Sequence, residues 1–315
     1  MARAFDTAAV IGTGMMGPGI ALTLALGGVR ATILSRNAES AARGLEKARA
    51  QLDLLASNEL AEPARAAAAK TLLSASAIFD ENIAEADLVV ESAPENMEFK
   101  QNLFARMDEI SKPSAVLATN TSGLSVTAIA SACKRHPDRV VTTHFWNPPH
   151  LMPLVEIVKG EHTDPAVAEA LKSLLASCGK MPVIVDRDTP GQLGNRLQMA
   201  LVREAIHIVE AGIASVEAVD AVAKHGFGLR LPVYGIFEHQ DIVGLDMSLG
   251  IVDYVSQDLC SLPKAPDLMR AKVAAGELGA KSGKGFYDWS VKSADAVKAR
   301  RDSFVLDFLR RWYRK

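Results

Sequence analysis

Residues 7 to 17 read TAAVIGTGMMG, a short apolar run followed by a loop with three glycines. The apolar run predicts a buried strand that ends at Gly12, and a helical pattern begins at the third glycine. Gly12 permits a tight turn, Gly14 lets the backbone approach a pyrophosphate, and Gly17 permits close helix–strand packing. The helix start also offers free N–H groups to phosphates. The loop residues predicted to bind a dinucleotide are Gly12, Gly14, Met15, Met16 and Gly17.

The next predicted strand, RATILS at 30–35, ends without the acid that binds the ribose hydroxyls of NAD in this kind of site. Ser35 and Arg36 stand there instead. No carboxylate would repel a 2′-phosphate, and the guanidinium of Arg36 can pair with one. The alternative is an ordinary exposed arginine beside a strand end. The pattern favours NADP over NAD and leaves NAD open.

Strands and helices alternate to about residue 188, which predicts an α/β domain with a mostly parallel sheet covered on both faces. Beyond Pro190 and Gly191 the pattern predicts helices and loops only. We therefore expect a dinucleotide-binding domain at 1–188 and an all-α domain at 189–315. The predicted strands are 7–11, 30–35, 86–92, 114–120, 139–145, 154–160 and 181–186. The predicted helices of the first domain include 38–57, 62–70, 95–110, 124–132 and 164–178.

The bulk composition is that of a folded protein able to bury a sizeable core, with 49% apolar and 23% charged residues and a net charge of −2. The balanced charge predicts neither nucleic-acid binding nor membrane binding. The basic residues at 298–315 alternate with apolar ones and predict one amphipathic helix with a solvated face. Three distant cysteines show no metal-ligand spacing and favour a reducing compartment. Without a signal sequence or an apolar span, the cytoplasm is the expected location.

The stretch THFWNPPHLMPLVEIV at 143–158 contains the candidate proton-transfer group. His144 falls at a predicted strand end, where ligands of an open parallel sheet bind. Glu156 lies in an apolar strand, and a buried carboxylate is costly unless it is paired. A strand–turn–strand arrangement would bring Glu156 back beside His144 and fix the imidazole tautomer. A structural histidine is the alternative, and His150 is the reserve candidate.

Several segments together resemble the 3-hydroxyacyl-CoA dehydrogenase family over nearly the whole chain. The segments that carry the resemblance are GTGMMG, DLVVESAPEN, NTSGLSVTAIA, HFWNPPHLMPLVEIV, GNRL, IVGLDM and LGAKSGKGFYDW. The resemblance implies a Rossmann-like first domain and an all-helical second domain that usually forms a homodimer.

The resemblance also implies roles for individual residues. His144 matches the family's catalytic histidine and Glu156 its carboxylate partner. Ser122 and Asn195 match residues that hydrogen-bond the reacting oxygen. Further positions near the cofactor or the site are Glu95, Lys100, Asn120 and Asn147. The activity implied is an NAD(P)-dependent oxidation of a secondary alcohol β to a carboxyl or thioester group.

The sequence departs from the family at the helical insert, where CoA-using members carry several lysines. Residues 45–63 contain Lys47 and Arg49 and then become apolar and acidic. This favours a small free hydroxy or keto acid over an acyl-CoA, with Arg203 and Arg230 as candidate anchors for its carboxylate. A true 3-hydroxyacyl-CoA dehydrogenase is the alternative substrate assignment. A non-catalytic, crystallin-like dinucleotide-binding protein is the alternative from another class.

Overall fold

The computed structural model describes residues 5–312. Its α/β region contains eight strands and the helices between them. The strands are β1 (Thr7–Ile11), β2 (Arg30–Leu34), β3 (Leu73–Ser76), β4 (Leu88–Glu91), β5 (Val116–Thr119), β6 (Val140–Phe145), β7 (Leu154–Lys159) and β8 (Met181–Val185). The helices are α1 (Gly17–Leu26), α2 (Ala38–Ser57), α3 (Pro63–Leu72), α4 (Phe79–Glu85), α5 (Met97–Ile110), α6 (Val126–Ala130) and α7 (Pro165–Ser177).

The strands form one sheet in the order β3-β2-β1-β4-β5-β6-β7-β8. Six neighbouring pairs are parallel, and only β6 and β7 are antiparallel. β6 and β7 are consecutive in the chain and pair as an antiparallel hairpin. This register sets His144 directly opposite Glu156. The mostly parallel Rossmann-like sheet predicted from the sequence is therefore confirmed.

Both faces of the sheet are covered, because successive buried residues of a strand belong to two different hydrophobic clusters. In β1, Ala8 and Val10 face the hydrophobic cluster that includes α1 and α7, and Ala9 faces the opposite cluster. β4 repeats the pattern, with Val89 on the second face. Successive side chains of a strand point to opposite faces, so apolar residues at every position require two covering layers.

Residues 73–85, for which the sequence pattern predicts no element, contain β3 and α4. β3 pairs only with β2 and has the sequence LSAS, so it lacks the apolar signature of a buried strand. The edge of a sheet needs fewer apolar residues than its centre, which explains why the strand was missed.

The second region is helical. It contains α8 (Gly194–Glu210), α9 (Val216–His225), α10 (Phe227–Arg230), α11 (Ile236–Val243), α12 (Leu245–Val255), α13 (Asp267–Ala274) and α14 (Ala294–Trp312). Apart from short 3-10 turns, two isolated bridges join Gly279 to Lys284 and Lys284 to Asp288. The predicted all-α character therefore holds for the named elements.

The compact units differ from the predicted domains at two places. Among the described residues, one unit comprises those up to Asn195 with those from Arg301 onward, and the other comprises Arg196–Arg300. The first boundary lies beyond the predicted residue 188 because the start of α8 is bonded to Glu156. The end of α14 returns to the first unit, where Leu309 is buried in the core and Arg310 donates to the Asn58 carbonyl. The basic residues Arg314 and Lys315 lie outside the described residues.

Candidate active site

The glycine loop between β1 and α1 has the backbone geometry that its glycines predict. Gly12 has a φ of 117°, and a Cβ there would overlap the carbonyl oxygen of Ser92. A Cβ on Gly17 would overlap the carbonyl of Gly12. Both positions therefore require glycine, one for backbone conformation and both for close approach. They fix the turn that leads from the strand into the helix.

The outer side of this loop is open. No atom lies within 4 Å of a Cβ built on Gly14, so the loop has free space where a cofactor would approach. Met15 is 65% exposed beside it, and half-buried Met16 precedes the first residue of α1 and packs against the core. The first turn of α1 has no acidic residue. The helix start is therefore suited to bind an anion.

The end of β2 lies beside the loop. Ser35 is half-buried and donates its N–H to the Ser76 carbonyl, while Arg36 is exposed. The side chain of Asn37 caps α2 by accepting from the Ser40 N–H at 2.8 Å. From α2, Nζ of Lys47 reaches back to the Gly14 carbonyl at 3.2 Å. Lys47 thus places a positive charge on the glycine loop, a role that its position in the sequence did not reveal.

The dyad forms across the β6–β7 hairpin. Nδ1 of His144 lies 2.8 Å from Oε2 of Glu156, and their side chains are 9% and 1% exposed. A Nδ1–H donated to this carboxylate leaves Nε2 as the free basic nitrogen. The contact predicted from a strand–turn–strand arrangement is present. With this tautomer, Nε2 is the ring nitrogen that can accept a proton.

The Glu156 carboxylate accepts four hydrogen bonds. Oε2 also accepts from Nε1 of Trp146 at 3.1 Å. Oε1 accepts from the backbone N–H groups of Leu193 at 3.0 Å and Gly194 at 2.8 Å. Burial favours the neutral acid, but the bonds from His144, Gly194, Trp146 and Leu193 outweigh it and lower the pKa of Glu156. The carboxylate therefore stays charged beside the histidine.

The side chains of Glu95 and Asn195 form hydrogen bonds with the loop that follows β5. Glu95 accepts from the Thr121 hydroxyl and, at 3.1 Å, from the Ser122 N–H. Nδ2 of Asn195 donates to the Ser122 carbonyl at 2.8 Å. Ser122 itself is exposed. One N–H of the Asn195 amide is therefore bonded to the backbone of this loop.

Three further predicted residues have different surroundings. Oδ1 of Asn120 accepts from the Phe145 N–H at 2.9 Å and joins the ends of β5 and β6. Asn147 is exposed in the loop that follows β6. Lys100 is 1% exposed and its Nζ lies 2.7 Å from Oε1 of Glu91. The ammonium of Lys100 is therefore paired with buried Glu91, and a role of Lys100 in binding the cofactor stays a prediction.

His150 does not belong to the dyad. Burial, followed by the nearby charge of Lys180, lowers the pKa of His150 to about 4. Nζ of Lys180 donates to the carbonyls of Pro149 at 2.6 Å and Met152 at 3.0 Å. Burial lowers the pKa of this lysine to about 8. Lys180 thus stabilises the loop between His144 and Glu156 through these two hydrogen bonds. His150 lies in the same loop, between the two carbonyls that Lys180 bonds.

Sequence reasoning missed Trp146, Gln192 and the backbone of Leu193 and Gly194. Gln192 is 3% exposed and donates from Nε2 to the Thr121 carbonyl at 2.8 Å. Its φ of 53° lies in the left-handed region that favours glycine. The only sequence signal was the proximity of GQLGN to the family-like GNRL segment. Backbone donors have no signature in side-chain identity.

Family models match both parts of the chain. The model of the 3-hydroxyacyl-CoA dehydrogenase NAD binding domain matches residues 7–189, and that of the C-terminal domain matches residues 191–289. The chain belongs to the 3-hydroxyacyl-CoA dehydrogenase family. It is therefore an oxidoreductase of this type with an NAD-binding domain.

Two curated relatives cover nearly the whole of this family member. A 5-formyl-3-hydroxy-2-methylpyridine 4-carboxylate 5-dehydrogenase of Mesorhizobium japonicum is 32% identical over 93% of this chain and 94% of its own length. A 3-hydroxybutyryl-CoA dehydrogenase of Bradyrhizobium diazoefficiens is 36% identical over 92% of this chain and 97% of its own. A crystal structure of a dehydrogenase for the same pyridine acid, described as an NAD⁺-dependent dismutase, superposes with a TM-score of 0.90 at 29% identity and covers 98% of both chains.

The residues present fit a nicotinamide dinucleotide. Gly14 leaves open space, and the start of α1 carries no acid that would repel a pyrophosphate. In residues 5–312 no cluster of histidine, cysteine and acidic side chains is arranged to hold a metal ion. Over the same residues, no helix combines the length and apolarity needed to cross a membrane.

Proposed function

We propose that this protein interconverts a secondary alcohol and a ketone β to a carboxyl or thioester group, with His144 moving the proton. The observation that carries the proposal is the 2.8 Å contact between Nδ1 of His144 and a Glu156 carboxylate that is buried, charged and fully hydrogen-bonded. A structural histidine does not need a buried anion held by four donors. The same hairpin lies in a sheet whose first helix starts at an open glycine loop.

In the oxidation direction, Nε2 of His144 takes the hydroxyl proton of the alcohol. The bound nicotinamide supplies a hydride acceptor for the carbinol hydrogen. Glu156 stabilises the imidazolium that forms and does not itself take the proton. In the reduction direction His144 returns the proton to the forming alkoxide. Each cycle therefore needs one proton and one hydride, and only the proton passes through this chain's side chains.

Ser122 and Asn195 position the reacting oxygen. The Ser122 hydroxyl is exposed, and the Asn195 amide carries a second N–H besides the one bonded to the Ser122 carbonyl. Donors fixed before the reaction stabilise developing charge on an alkoxide or carbonyl oxygen more strongly than mobile water does. Glu95 and Gln192 keep the backbone of 121–122 in place for this task.

The substrate is a small free acid in this proposal. Lys47, the first basic residue of the insert, is bonded to the Gly14 carbonyl. Exposed Arg230 is a candidate anchor for a carboxylate, and Arg203 is partly committed because its Nη1 donates to the Leu262 carbonyl at 3.1 Å. An acyl-CoA substrate is the alternative, supported by the relative named 3-hydroxybutyryl-CoA dehydrogenase.

A ring-bearing acid with an aldehyde is a second candidate substrate. The TM-score of 0.90 over 98% of both chains favours it, since the matched structure is a dehydrogenase of such a pyridine acid. In that case His144 would take a hydroxyl proton from the hydrated aldehyde, and hydride would leave from the carbon that bears this hydroxyl. The proton-transfer step at Nε2 is the same for both substrates.

The experiment is a panel of small 3-hydroxy acids, 3-hydroxybutyryl-CoA and hydroxymethyl or formyl ring acids, with formation of reduced cofactor as the readout. Turnover of free acids at lower KM than the thioester supports the proposal. A strong preference for the thioester would replace it by the acyl-CoA assignment. Absence of turnover with every compound, together with cofactor binding, would favour the crystallin-like alternative.

The preference for NADP over NAD rests on Ser35 and Arg36. Arg36 is exposed at the end of β2 and no acid stands at either position. The family model is named for NAD, so this preference would be a departure of this chain. The test compares kcat/KM for both cofactors in the wild type, R36A and S35D. R36A should weaken NADP selectively, and a wild type that strongly prefers NAD would refute the assignment.

A homodimer through the helical region is supported by its exposed apolar side chains. Phe237, Ile242 and Tyr254 are 84%, 74% and 81% exposed. Apolar surface of this extent is typical of an interface rather than of a monomer surface. Light scattering should report a dimer for the wild type and a larger monomer fraction for I242E.

Free buried cysteines accord with a cytoplasmic location, which imaging of a tagged chain would test.

A further inference from the structure

The half-buried indole of Trp146 takes part in the hydrogen bonds of the dyad. Its Nε1 donates to Oε2 of Glu156 over 3.1 Å, and Nδ1 of His144 contacts the same oxygen. The indole and imidazole ring centroids lie 5.8 Å apart, with planes inclined by 52°. One carboxylate oxygen therefore serves two donors, one of which changes charge during the reaction.

The missing side chain of Gly194 makes room for this indole. A Cβ on Gly194 would overlap Cζ2 of Trp146, an atom of the six-membered ring that phenylalanine lacks at this reach. The N–H of Gly194 meanwhile donates to Oε1 of the same carboxylate. Trp146 and Gly194 thus act as a matched pair: the glycine admits the indole, and both donate to Glu156.

We infer that Trp146 is a positioning residue that limits how strongly Glu156 holds a proton on His144. This inference rests on the proposed dehydrogenase function of the dyad. A donor on Oε2 reduces the charge that this oxygen offers to the imidazolium. Without the indole N–H, the imidazolium would be held more tightly and its proton released less readily. The indole also restricts the rotation of the Glu156 carboxylate.

Other charged groups near the neighbouring strand ends are already paired. Glu95 accepts from Thr121 and Ser122, and Lys100 is bonded to Glu91. On the β7 side, Glu156 is the acid opposite His144. A substitution at Trp146 removes one bond to Glu156 and leaves the pairs formed by Glu95 and Lys100 unchanged. A difference in pH dependence between the wild type and a Trp146 variant therefore isolates the indole bond.

The experiment is the pH profile of kcat/KM for alcohol oxidation in the wild type, W146F and W289F. W146F should move the acid limb to higher pH by about 0.5 unit, which converts to about 0.7 kcal/mol at 1.36 kcal/mol per unit. Its plateau should fall by about fivefold, since the carboxylate is less restrained. W289F is the matched control, because Trp289 contacts Tyr287 and Lys292 and makes no bond to the dyad. An acid limb of W146F that coincides with the wild type would overturn the inference.

A second readout is independent of turnover. In NMR spectra, the indole N–H resonance of Trp146 is assigned as the one that is absent from W146F. Its chemical shift should change with pH in the wild type and should stay constant in H144Q. If no alcohol is oxidised, the proposed function fails, and this titration still decides the inference about Trp146. A resonance that stays constant through the titration would overturn it. G194A should lower kcat/KM, because the new Cβ displaces the indole, and the double variant G194A/W146F should recover part of this loss. If the losses of the two single variants add in the double variant, Trp146 and Gly194 are not a matched pair.

Discussion

The glycine loop and the His144–Glu156 hairpin form two parts of the candidate site, and they are held in different ways. The loop is fixed by the absence of side chains, because a Cβ at Gly12 or Gly17 would overlap backbone. The dyad is fixed by four donors on one carboxylate. Loop variants should therefore change cofactor affinity, and dyad variants should change turnover at unchanged cofactor affinity.

The largest effect is expected for H144A. Loss of a general base costs about 10³-fold in kcat/KM, within the usual range for proton transfer. The cofactor dissociation constant should stay the same, because the imidazole makes no bond to the glycine loop. Steady-state kinetics and cofactor titration measure the two quantities. H162A, which removes an exposed histidine, is the control. A matching loss of cofactor affinity in H144A would erase the distinction between the two parts.

A smaller loss of turnover is expected for E156Q. Glutamine places an N–H₂ group where one carboxylate oxygen accepts from two donors, so two hydrogen bonds become donor–donor contacts. The charge that stabilises the imidazolium is also lost. We expect kcat/KM to fall by about 10²-fold. E98Q, an exposed glutamate on α5, is the matched control for loss of charge. Wild-type kinetics in E156Q would show that the carboxylate is only structural.

The loop side is tested by G14A. A Cβ at Gly14 meets open space in the protein, so folding stability should be unchanged. The same Cβ would occupy space that a cofactor needs, and we expect the cofactor to bind about tenfold more weakly, or about 1.4 kcal/mol. G12A should instead lose stability, because its φ is 117°. Thermal unfolding and cofactor titration separate the two variants. Equal cofactor affinity in G14A and the wild type would place the cofactor elsewhere.

The smallest effect concerns stability at acid pH. The folded state lowers the pKa of Glu156 below its ordinary value of 4.5, so its hydrogen bonds stabilise the fold above that value. This stability is lost as pH falls through the lower folded pKa. Denaturant unfolding at several pH values should show a free-energy difference between wild type and E156Q of about 1–2 kcal/mol above pH 5, which narrows on acidification. A difference that is constant with pH would contradict the assignment of charge to Glu156.

The two parts also differ in how far the sequence predicts them. The loop's three glycines lie close together in the sequence, so local steric rules are sufficient to predict the conformation of the loop. The dyad needed the register of β6 and β7, which the hairpin and the costly position of Glu156 suggested. The roles of Leu193 and Gly194 could not be predicted, because any residue but proline has a backbone N–H. The ion pair between Lys100 and Glu91 could not be predicted for a related reason: a sequence match does not show which way a lysine points.

In the proposed reaction His144 moves the proton while hydride leaves the same alcohol. The most direct test is single-turnover oxidation of an alcohol deuterated at the carbinol carbon, by wild type and H144A, with and without added imidazole. We expect deuterium in the reduced nicotinamide of the wild type, a very slow reaction in H144A, and partial recovery of the rate when neutral imidazole is added. Transfer in H144A at the wild-type rate would contradict the proposed role of His144.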